Sequence, residues 1–238
     1  AGKVTGRIKY AEDYSRDGMV YARLLTSPIP HARVVNIDAS AALAMDGVFG
    51  ILTADDVYPD GEPDGTGLKI LTNEPTLVGE PILALAAIDE KTAETALAAI
   101  SVTFERLPFV LDPLDSLAEG GPDAYTGGNT FVFREGFASE KWSADQVASF
   151  RAGAEPTAEP QQQFAYGDLE AAFASSAFVY EGVFTTAGYP HMSMEPRSAM
   201  AYWENGKLYL HGTSQSLTGL AVDMAGIVGV PMEDFVFI

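Results

Sequence analysis

The sequence predicts an α+β protein built in two successive parts. Three observations carry this expectation: short strands and helices alternate through the first hundred residues, a Gly/Pro-rich stretch interrupts them at about 115–165, and a hairpin with a long apolar helix follows. With 238 residues, 47% of them apolar, the chain is large enough to bury a core without disulfide or metal staples.

Residues 19–25 and 33–37 read as strands, separated by the Pro28/Pro30 break. Residues 38–45 form an Ala-rich helix that stops before Gly47, 48–52 a strand, and 53–57 a capped helical turn. Residues 58–76 are rich in Gly, Pro and Asp and read as a loop. The continuous apolar run 82–88 is the pattern of a strand buried on both faces. Residues 89–100 then place Ala93, Ala96, Leu97 and Ile100 at i, i+3, i+4 and i+7, with Asp89 as N-cap. A strand at 101–105 follows, and Pro108 and Pro113 mark its exit.

Gly120-Gly121-Pro122, Gly127-Gly128 and the Pro/Gln-rich run 155–163 flank one helical pattern at 143–151, which reads as a linker with an inserted helix. Order resumes at Gly167-Asp168, where Leu169, Ala172 and Phe173 share one face of a short helix. Residues 178–186 alternate as a strand, with Phe178, Tyr180, Gly182 and Phe184 on one side. Strands at 199–203 and 207–211 are joined through Glu204-Asn205-Gly206, and Asn-Gly is a strong hairpin signal because both residues tolerate positive φ. The last helix, 217–228, puts Leu217, Leu220, Ala221, Met224, Ile227 and Val228 on one face.

The chain finishes at Asp234-Phe235-Val236-Phe237-Ile238, which reads as a strand just begun. An apolar strand with no following turn is an aggregation hazard. The expectation is therefore a piece of a longer polypeptide, or a subunit whose last strand a partner covers, with 235–238 pairing with another chain or a continuation.

Lys+Arg number 14 against 33 Asp+Glu, a net charge of −19, and no basic run occurs anywhere. Such a chain repels phosphate backbones and anionic headgroups, so nucleic acid and electrostatic membrane anchoring are not expected. The chain contains 0 cysteines, which removes disulfides, thiolate nucleophiles, zinc–cysteine sites and iron–sulfur ligation from it. The longest apolar stretch, 82–88, is far short of the roughly 20 residues that span a bilayer. No charged-then-apolar signal peptide opens the sequence, so the expected compartment is the cytoplasm, or the periplasm if a signal has been removed.

His31, His191 and His211 have no metal-binding spacing. His31 reads as a hydrogen-bonded turn histidine. His191 lies in Gly188-Tyr189-Pro190-His191-Met192-Ser193-Met194-Glu195-Pro196-Arg197, which fits a pocket wall and equally a crossover loop. Gly212-Thr213-Ser214-Gln215-Ser216 joins a strand to a helix N-terminus, a geometry that offers free backbone N–H groups, and Gln215 adds a side-chain amide. Simple N-capping by Ser214 or Ser216 is the alternative. Glu80, in Val78-Gly79-Glu80-Pro81, reads as structural, and the pairs Asp55-Asp56 and Asp89-Glu90 as solvated helix starts. Neither Glu80 nor Glu195 has a visible partner acid, which counts against a stand-alone hydrolase. No nucleophile with its base, phosphate loop or dinucleotide fingerprint occurs.

Taken in order, these segments resemble the molybdenum hydroxylases, the xanthine dehydrogenase/aldehyde oxidase family, at the start of the large molybdopterin-binding subunit. The resemblance runs through Lys3-Val4-Thr5-Gly6-Arg7, Tyr10-Ala11-Glu12-Asp13, Ser27-Pro28, His31-Ala32-Arg33, Gly47-Val48, Leu52-Thr53-Ala54-Asp55-Asp56-Val57 and Val78-Gly79-Glu80-Pro81. It continues through Gly167-Asp168-Leu169-Glu170-Ala171-Ala172-Phe173, Met194-Glu195-Pro196 and Ser214-Gln215-Ser216, while 130–163 has no counterpart and looks like a subgroup insertion.

The resemblance implies an α/β hammerhead domain at 1–116, a linker with an inserted helix at 117–163, and the start of the first molybdenum-cofactor-binding domain at 164–238. It implies a Gly-rich loop that embraces the cofactor beyond Phe235 and a Gly-Glu catalytic base much further on, neither of them within these residues. It implies hydroxylation of an aldehyde or N-heterocycle with water-derived oxygen at a molybdenum–molybdopterin cofactor, in plain or cytosine dinucleotide form, shared with missing or partner segments. Iron–sulfur centres and FAD would sit on partner subunits or domains. Partners would be the remainder of the molybdopterin subunit, an iron–sulfur subunit or domain, a flavin subunit and a small-molecule substrate. Gln215 matches the family's glutamine that hydrogen-bonds an oxygen ligand of the molybdenum, and Ser214 stands beside it as a cofactor-binding candidate. No catalytic or metal-ligating residue is assigned, and the chain alone is expected to be inactive. The other reading is a non-catalytic scaffold subunit that keeps the hammerhead fold.

Overall fold

The computed structural model describes residues 2–62, 69–123, 125, 127–132, 136–154, 164–182, 184, 186–195 and 197–238. The chain divides into two compact units, one of Val20–Thr185 and one that joins Ala1–Met19 to Thr186–Ile238. The first nineteen residues, placed with the hammerhead by the sequence, thus cluster with the C-terminal part.

In the larger unit the elements follow in the order β1 (Tyr21–Thr26), β2 (Ala32–Asp38), α1 (Ser40–Leu43), β3 (Val48–Thr53), α2 (Ala54–Val57), β4 (Pro81–Ala87), α3 (Glu90–Ala98) and β5 (Ser101–Arg106). Strand β4 is the centre of a three-stranded sheet of order β1-β4-β3, antiparallel on both sides. Leu83 faces Leu25 and Leu85 faces Ile51 across it. Strands β2 and β5 form a separate antiparallel ribbon.

The core lies where α1 and α3 cover one face of this sheet. Leu83, Leu85 and Ala87 are fully buried there with Ala42, Ala93 and Ala96, and Leu25, Ile37, Ile51, Leu97 and Ile100 pack around them. The alternation of β4 explains the choice, since residues two apart share a face. On the opposite face Ile82 is buried but Ala84 and Ala86 are only half-covered, so the continuous apolar run is dry on one face alone. The helix face is the predicted one, and the Asp89 carboxylate accepts from the Thr92 N–H at 2.7 Å as N-cap. The turn between α1 and β3 passes through Gly47, whose φ of 86° is left-handed and whose Cβ, if present, would lie 2.7 Å from Ile88 Cγ2. Only glycine fits that bend.

The unit continues through α4 (Pro113–Leu117), β6 (Thr130–Val132), β7 (Gly136–Ala138), α5 (Ala144–Arg151) and α6 (Leu169–Ser175). The supposed linker therefore holds a hairpin, β6–β7, besides the predicted helix. Gly128, bridged to Tyr125, and Gly136, which opens β7, take φ of 127° and 92°, a region that favours glycine. Lys141 ties the segment together: its ammonium donates to Ser116 O, Gly121 O and Asp123 at 2.8–2.9 Å. The run 155–163 lies outside the described residues.

Among the described residues of the strand predicted at 178–186, which are 178–182, 184 and 186, none is in a strand. An alternating pattern supplies a face but not a partner, and a lone strand leaves its backbone N–H and C=O groups to water.

The smaller unit is built on β8 (Ala199–Glu204), β9 (Lys207–Gly212), α7 (Leu217–Val228) and β10 (Phe235–Phe237). Its sheet has the order β10-β9-β8. The hairpin turns through Asn205 and Gly206 at φ 51° and 77°, the paired positive values of a type I′ turn. The final strand, expected to need another chain or a continuation, instead pairs in parallel with β9, Phe235 opposite Leu208 and Phe237 opposite Leu210. The crossover helix makes this possible: twelve residues of α7 carry the chain roughly 18 Å back along the sheet.

Ala221, Ala225 and Phe235 form the buried core here, with Leu208, Leu210, Met224, Val230 and Phe237 around them. The predicted helix face was too broad. Leu217, Ile227 and Val228 are exposed, because a helix resting on so narrow a sheet buries only a thin stripe.

Candidate functional site

Two regions of the smaller unit carry polar side chains with chemistry to spend. The first is the turn between β9 and α7. Gly212 ends the strand with its N–H on Ile238 O at 3.2 Å. Ser214, half-buried, accepts the Ser216 N–H on its hydroxyl at 3.0 Å. Ser216 is the N-cap residue of α7, but its side chain makes no capping hydrogen bond. A Cβ on Gly219 would lie 2.8 Å from Ser216 Oγ, so a larger residue there would turn the hydroxyl out of its present place.

Neither serine, then, caps the helix through its side chain. The N–H groups of Leu217, Thr218 and Gly219 have no hydrogen-bond partner among the described residues. Gln215 sits at this mouth with its side chain exposed and without a hydrogen bond among the described residues. Uncapped N–H groups, the positive end of the helix dipole and a neutral amide together make a donor-rich edge suited to oxygen-bearing anionic groups.

The second region lies on the sheet face turned away from α7, where Tyr202, Tyr209 and His211 alternate with the core residues. Tyr202 and Tyr209 are cross-strand partners, stacked with ring centres 5.0 Å apart. The N-terminal segment covers them. Tyr14 lies 4.4 Å from the His211 ring, and the Arg16 guanidinium 3.6 Å from the centre of Tyr202 while bonding Glu204 at 2.9 Å. His211 is 7% exposed, its Nε2 is 3.5 Å from Tyr202 Oη, and its Nδ1 is buried without a partner among the described residues. Burial first, and the Arg16 charge second, hold its imidazole below the ordinary histidine range.

The sequence missed this cluster. The Asn205-Gly206 turn fixes Tyr202 opposite Tyr209, so half of it was available from register, but nothing local marks Tyr14 or Arg16 as their cover.

Other candidates resolve differently. His31 is a hydrogen-bonded turn histidine: Nδ1 is 2.7 Å from Pro108 O, and Nε2 stands 3.7 Å from Glu74. Glu80 accepts from Thr76 N and Oγ1 at 2.7 and 3.3 Å, a structural use of its carboxylate. His191 is exposed. Glu195 is half-buried, with one carboxylate oxygen sheltered and unpartnered among the described residues. Among the described residues no group of three His, Cys, Asp or Glu side chains could hold a metal, and no helix is long and apolar enough to cross a membrane.

Comparison with known proteins gives the class: a hammerhead domain with the opening of a molybdopterin-binding domain. The model of the aldehyde oxidase and xanthine dehydrogenase a/b hammerhead domain matches residues 5–108, and that of the molybdopterin cofactor-binding domain matches 154–238. The chain is 30% identical over 237 residues to the nicotinate dehydrogenase large molybdopterin subunit of Eubacterium barkeri, covering 96% of this chain and 48% of that one. It is 26% identical over 256 residues to the aldehyde oxidoreductase of Megalodesulfovibrio gigas, covering 97% of this chain and 25% of that one. The crystal structure of quinoline 2-oxidoreductase from Pseudomonas putida 86 matches with a TM-score of 0.70 and 25% identity, over 98% of this chain and 28% of that chain. The chain belongs to the xanthine dehydrogenase/aldehyde oxidase family, at the N-terminal part of the molybdenum-binding subunit. It spans about half or less of the length of these relatives.

Proposed function

We propose that this chain is a segment or split subunit of a molybdenum-dependent hydroxylase that oxidises an aldehyde or N-heterocycle with water-derived oxygen. The observation that carries the reading is the uncommitted amide of Gln215 at the uncapped N-terminus of α7. When bound, molybdenum–molybdopterin supplies the two-electron redox chemistry.

The residues at the turn fit such a group. Gln215 offers a donor to an oxygen without adding charge, and the N–H groups of Leu217, Thr218 and Gly219 face the same side of the helix end. Ser214 shapes the turn by holding the Ser216 N–H, and its hydroxyl proton remains available to an acceptor. The seven described residues 212–218 contain no carboxylate, so nothing there repels an anionic ligand.

The finer assignments belong to the same proposal. The domain division is 1–116, 117–163 and 164–238, and the cofactor is of the plain or cytosine dinucleotide type. With 0 cysteines in this chain, iron–sulfur centres sit on another subunit or domain, with FAD on a further one. The compartment is the cytoplasm, or the periplasm if a signal has been removed.

The test is made in the complete enzyme. Gln215→Ala keeps the fold and most of the molybdenum but slows turnover about a hundredfold, since losing one oriented donor costs on the order of 3 kcal/mol. Gln215→Glu retains less molybdenum than Gln215→Ala, because a carboxylate repels the anionic group. If neither metal content nor turnover moves in either variant, the turn is structural and the scaffold reading takes its place.

A further inference from the structure

Residues 10–19 lie over the Tyr202–Tyr209–His211 face and are held there by side chains. Their own backbone bonds are internal: Tyr10 N–H to the Asp13 carboxylate, Asp13 N–H to Tyr10 O, Tyr14 N–H to Ala11 O and Met19 N–H to Arg16 O. Among the described residues no backbone bond joins 10–19 to the hairpin, and none of the ten is buried. What fastens the segment is Tyr14 against the His211 ring and Arg16 between Tyr202 and Glu204. A cover with so few ties opens at lower free energy than the sheet beneath it.

His211 is buried under this cover. Its Nε2 stands 3.5 Å from Tyr202 Oη, while Nδ1 has no partner among the described residues. A neutral imidazole carries one N–H and an imidazolium two, so a proton added under the cover leaves a donor without an acceptor. The surrounding charges do not compensate. Arg16 is a cation, and Glu204, the carboxylate of β8, is bonded to it. Glu12 and Asp13, in the turn Ala11–Asp13 that packs on β8, are exposed, and Asp13 is engaged by Tyr10 N–H. Lys9 lies 5.6 Å from the centre of Tyr14, and Lys207 of β9 donates to Glu233 O. Tyr14, Tyr202 and Tyr209 add hydroxyls, and β10 brings no titratable side chain.

We propose that residues 10–19 are a proton-operated strap: protonation of His211 releases Tyr14 and Arg16 from the hairpin and bares the Tyr202–Tyr209 face while the sheet stays folded. In the open form water solvates both ring N–H groups, and the imidazolium and the guanidinium move apart. Burial first and the Arg16 charge second hold the covered ring below the ordinary histidine range, which has the same sign. An exposed histidine titrates near 6.5, so opening is favoured by up to about tenfold at pH 5.5 relative to pH 7.5. The strap is independent of the function proposed above.

Trypsin cleavage after Arg16 in the complete subunit reads the opening, measured against a free peptide of residues 10–22 digested in the same tube. The relative rate is expected to rise several-fold, up to about tenfold, from pH 7.5 to pH 5.5, with cleavage after Lys207 in the hairpin unchanged. His211→Gln is expected to abolish the rise. Tyr14→Ala, which loosens the strap and leaves the hairpin intact, is expected to be cut fast at both pH values and keeps the test decisive if His211→Gln fails to fold. A flat wild-type rate overturns the proposal, as does a rise that persists in His211→Gln. So does cleavage at Lys207 in step with Arg16, which means that the whole unit unfolds, or a Tyr14→Ala rate no faster than wild type at pH 7.5.

Discussion

The Arg16 guanidinium lies 3.6 Å from the centre of the Tyr202 ring, joining the first nineteen residues to a hairpin nearly two hundred positions away. The same side chain reaches Glu204 at 2.9 Å, but that pair is about two-fifths exposed at both ends. Contact with the ring face is less easily screened than an exposed ion pair. Arg16→Ala is therefore expected to lower the unfolding midpoint of the smaller unit by more than Glu204→Gln does. Denaturation at low and high salt checks it: the Arg16→Ala deficit should persist in salt, and the Glu204→Gln deficit should fade.

His211 makes the same cluster pH-sensitive. Its folded-state pKa lies below the ordinary 6.5, from burial first and the Arg16 charge second. Above pH 6.5 both folded and unfolded forms are neutral and stability is complete. As pH falls below 6.5 the unfolded chain takes up the proton first, so stability falls. His211→Gln is expected to flatten the stability profile between pH 7.5 and 5.5, and Arg16→Ala to shallow it by removing the second cause. Urea midpoints across that range are the measurement.

Glu62 holds the loop 69–73 in the larger unit. Burial pushes its carboxyl up, but hydrogen bonds from Asn73 N, Lys69 and Thr72 outweigh that and leave it below the ordinary 4.5. Lys69 Nζ lies 2.9 Å away and Thr72 Oγ1 2.7 Å. The contribution is present above pH 4.5 and is lost as pH falls through the lower folded value. Glu62→Gln is expected to cost about 1–3 kcal/mol at neutral pH, and to lessen the acid sensitivity, both read from denaturant midpoints at pH 7 and pH 4.

The hammerhead core offers the sharpest test of packing. Leu85 is fully buried between α3 and the sheet, so Leu85→Ala is expected to cost about 2–5 kcal/mol. Leu97 packs on the rim of the same core, and Leu97→Asp is expected to cost about 1–3 kcal/mol by placing a carboxylate against it. If Leu97→Asp melted at the wild-type temperature, the assigned face of α3 would be wrong.

Elements whose cause is local were legible in the sequence. The Asn205-Gly206 turn, the Asp89 cap and the buried stripe of α3 follow from steric preference and spacing within a few residues, and the structure has them where they were expected. The family was legible too, because many short motifs kept their order over nearly the whole chain. Gln215 could be placed at a strand-to-helix turn, but that neither Ser214 nor Ser216 caps the helix through its side chain could not. A serine hydroxyl chooses between neighbouring N–H groups by angles of a few degrees.

By itself, then, the sequence determined most of the helices and strands, though not β6–β7 or the lack of pairing at 178–182, that this chain brings no cysteine to a metal centre, and which family it joins. Only the tertiary structure decided where the strands find partners: β10 returns to β9, residues 178–182 find none, and Tyr14 and Arg16 cross to Tyr202 and His211. The physical reason is one of range. Dihedral preference and amphipathic spacing act within a turn or two of chain, whereas a strand edge or an aromatic face is satisfied only by groups that folding brings together from distant positions.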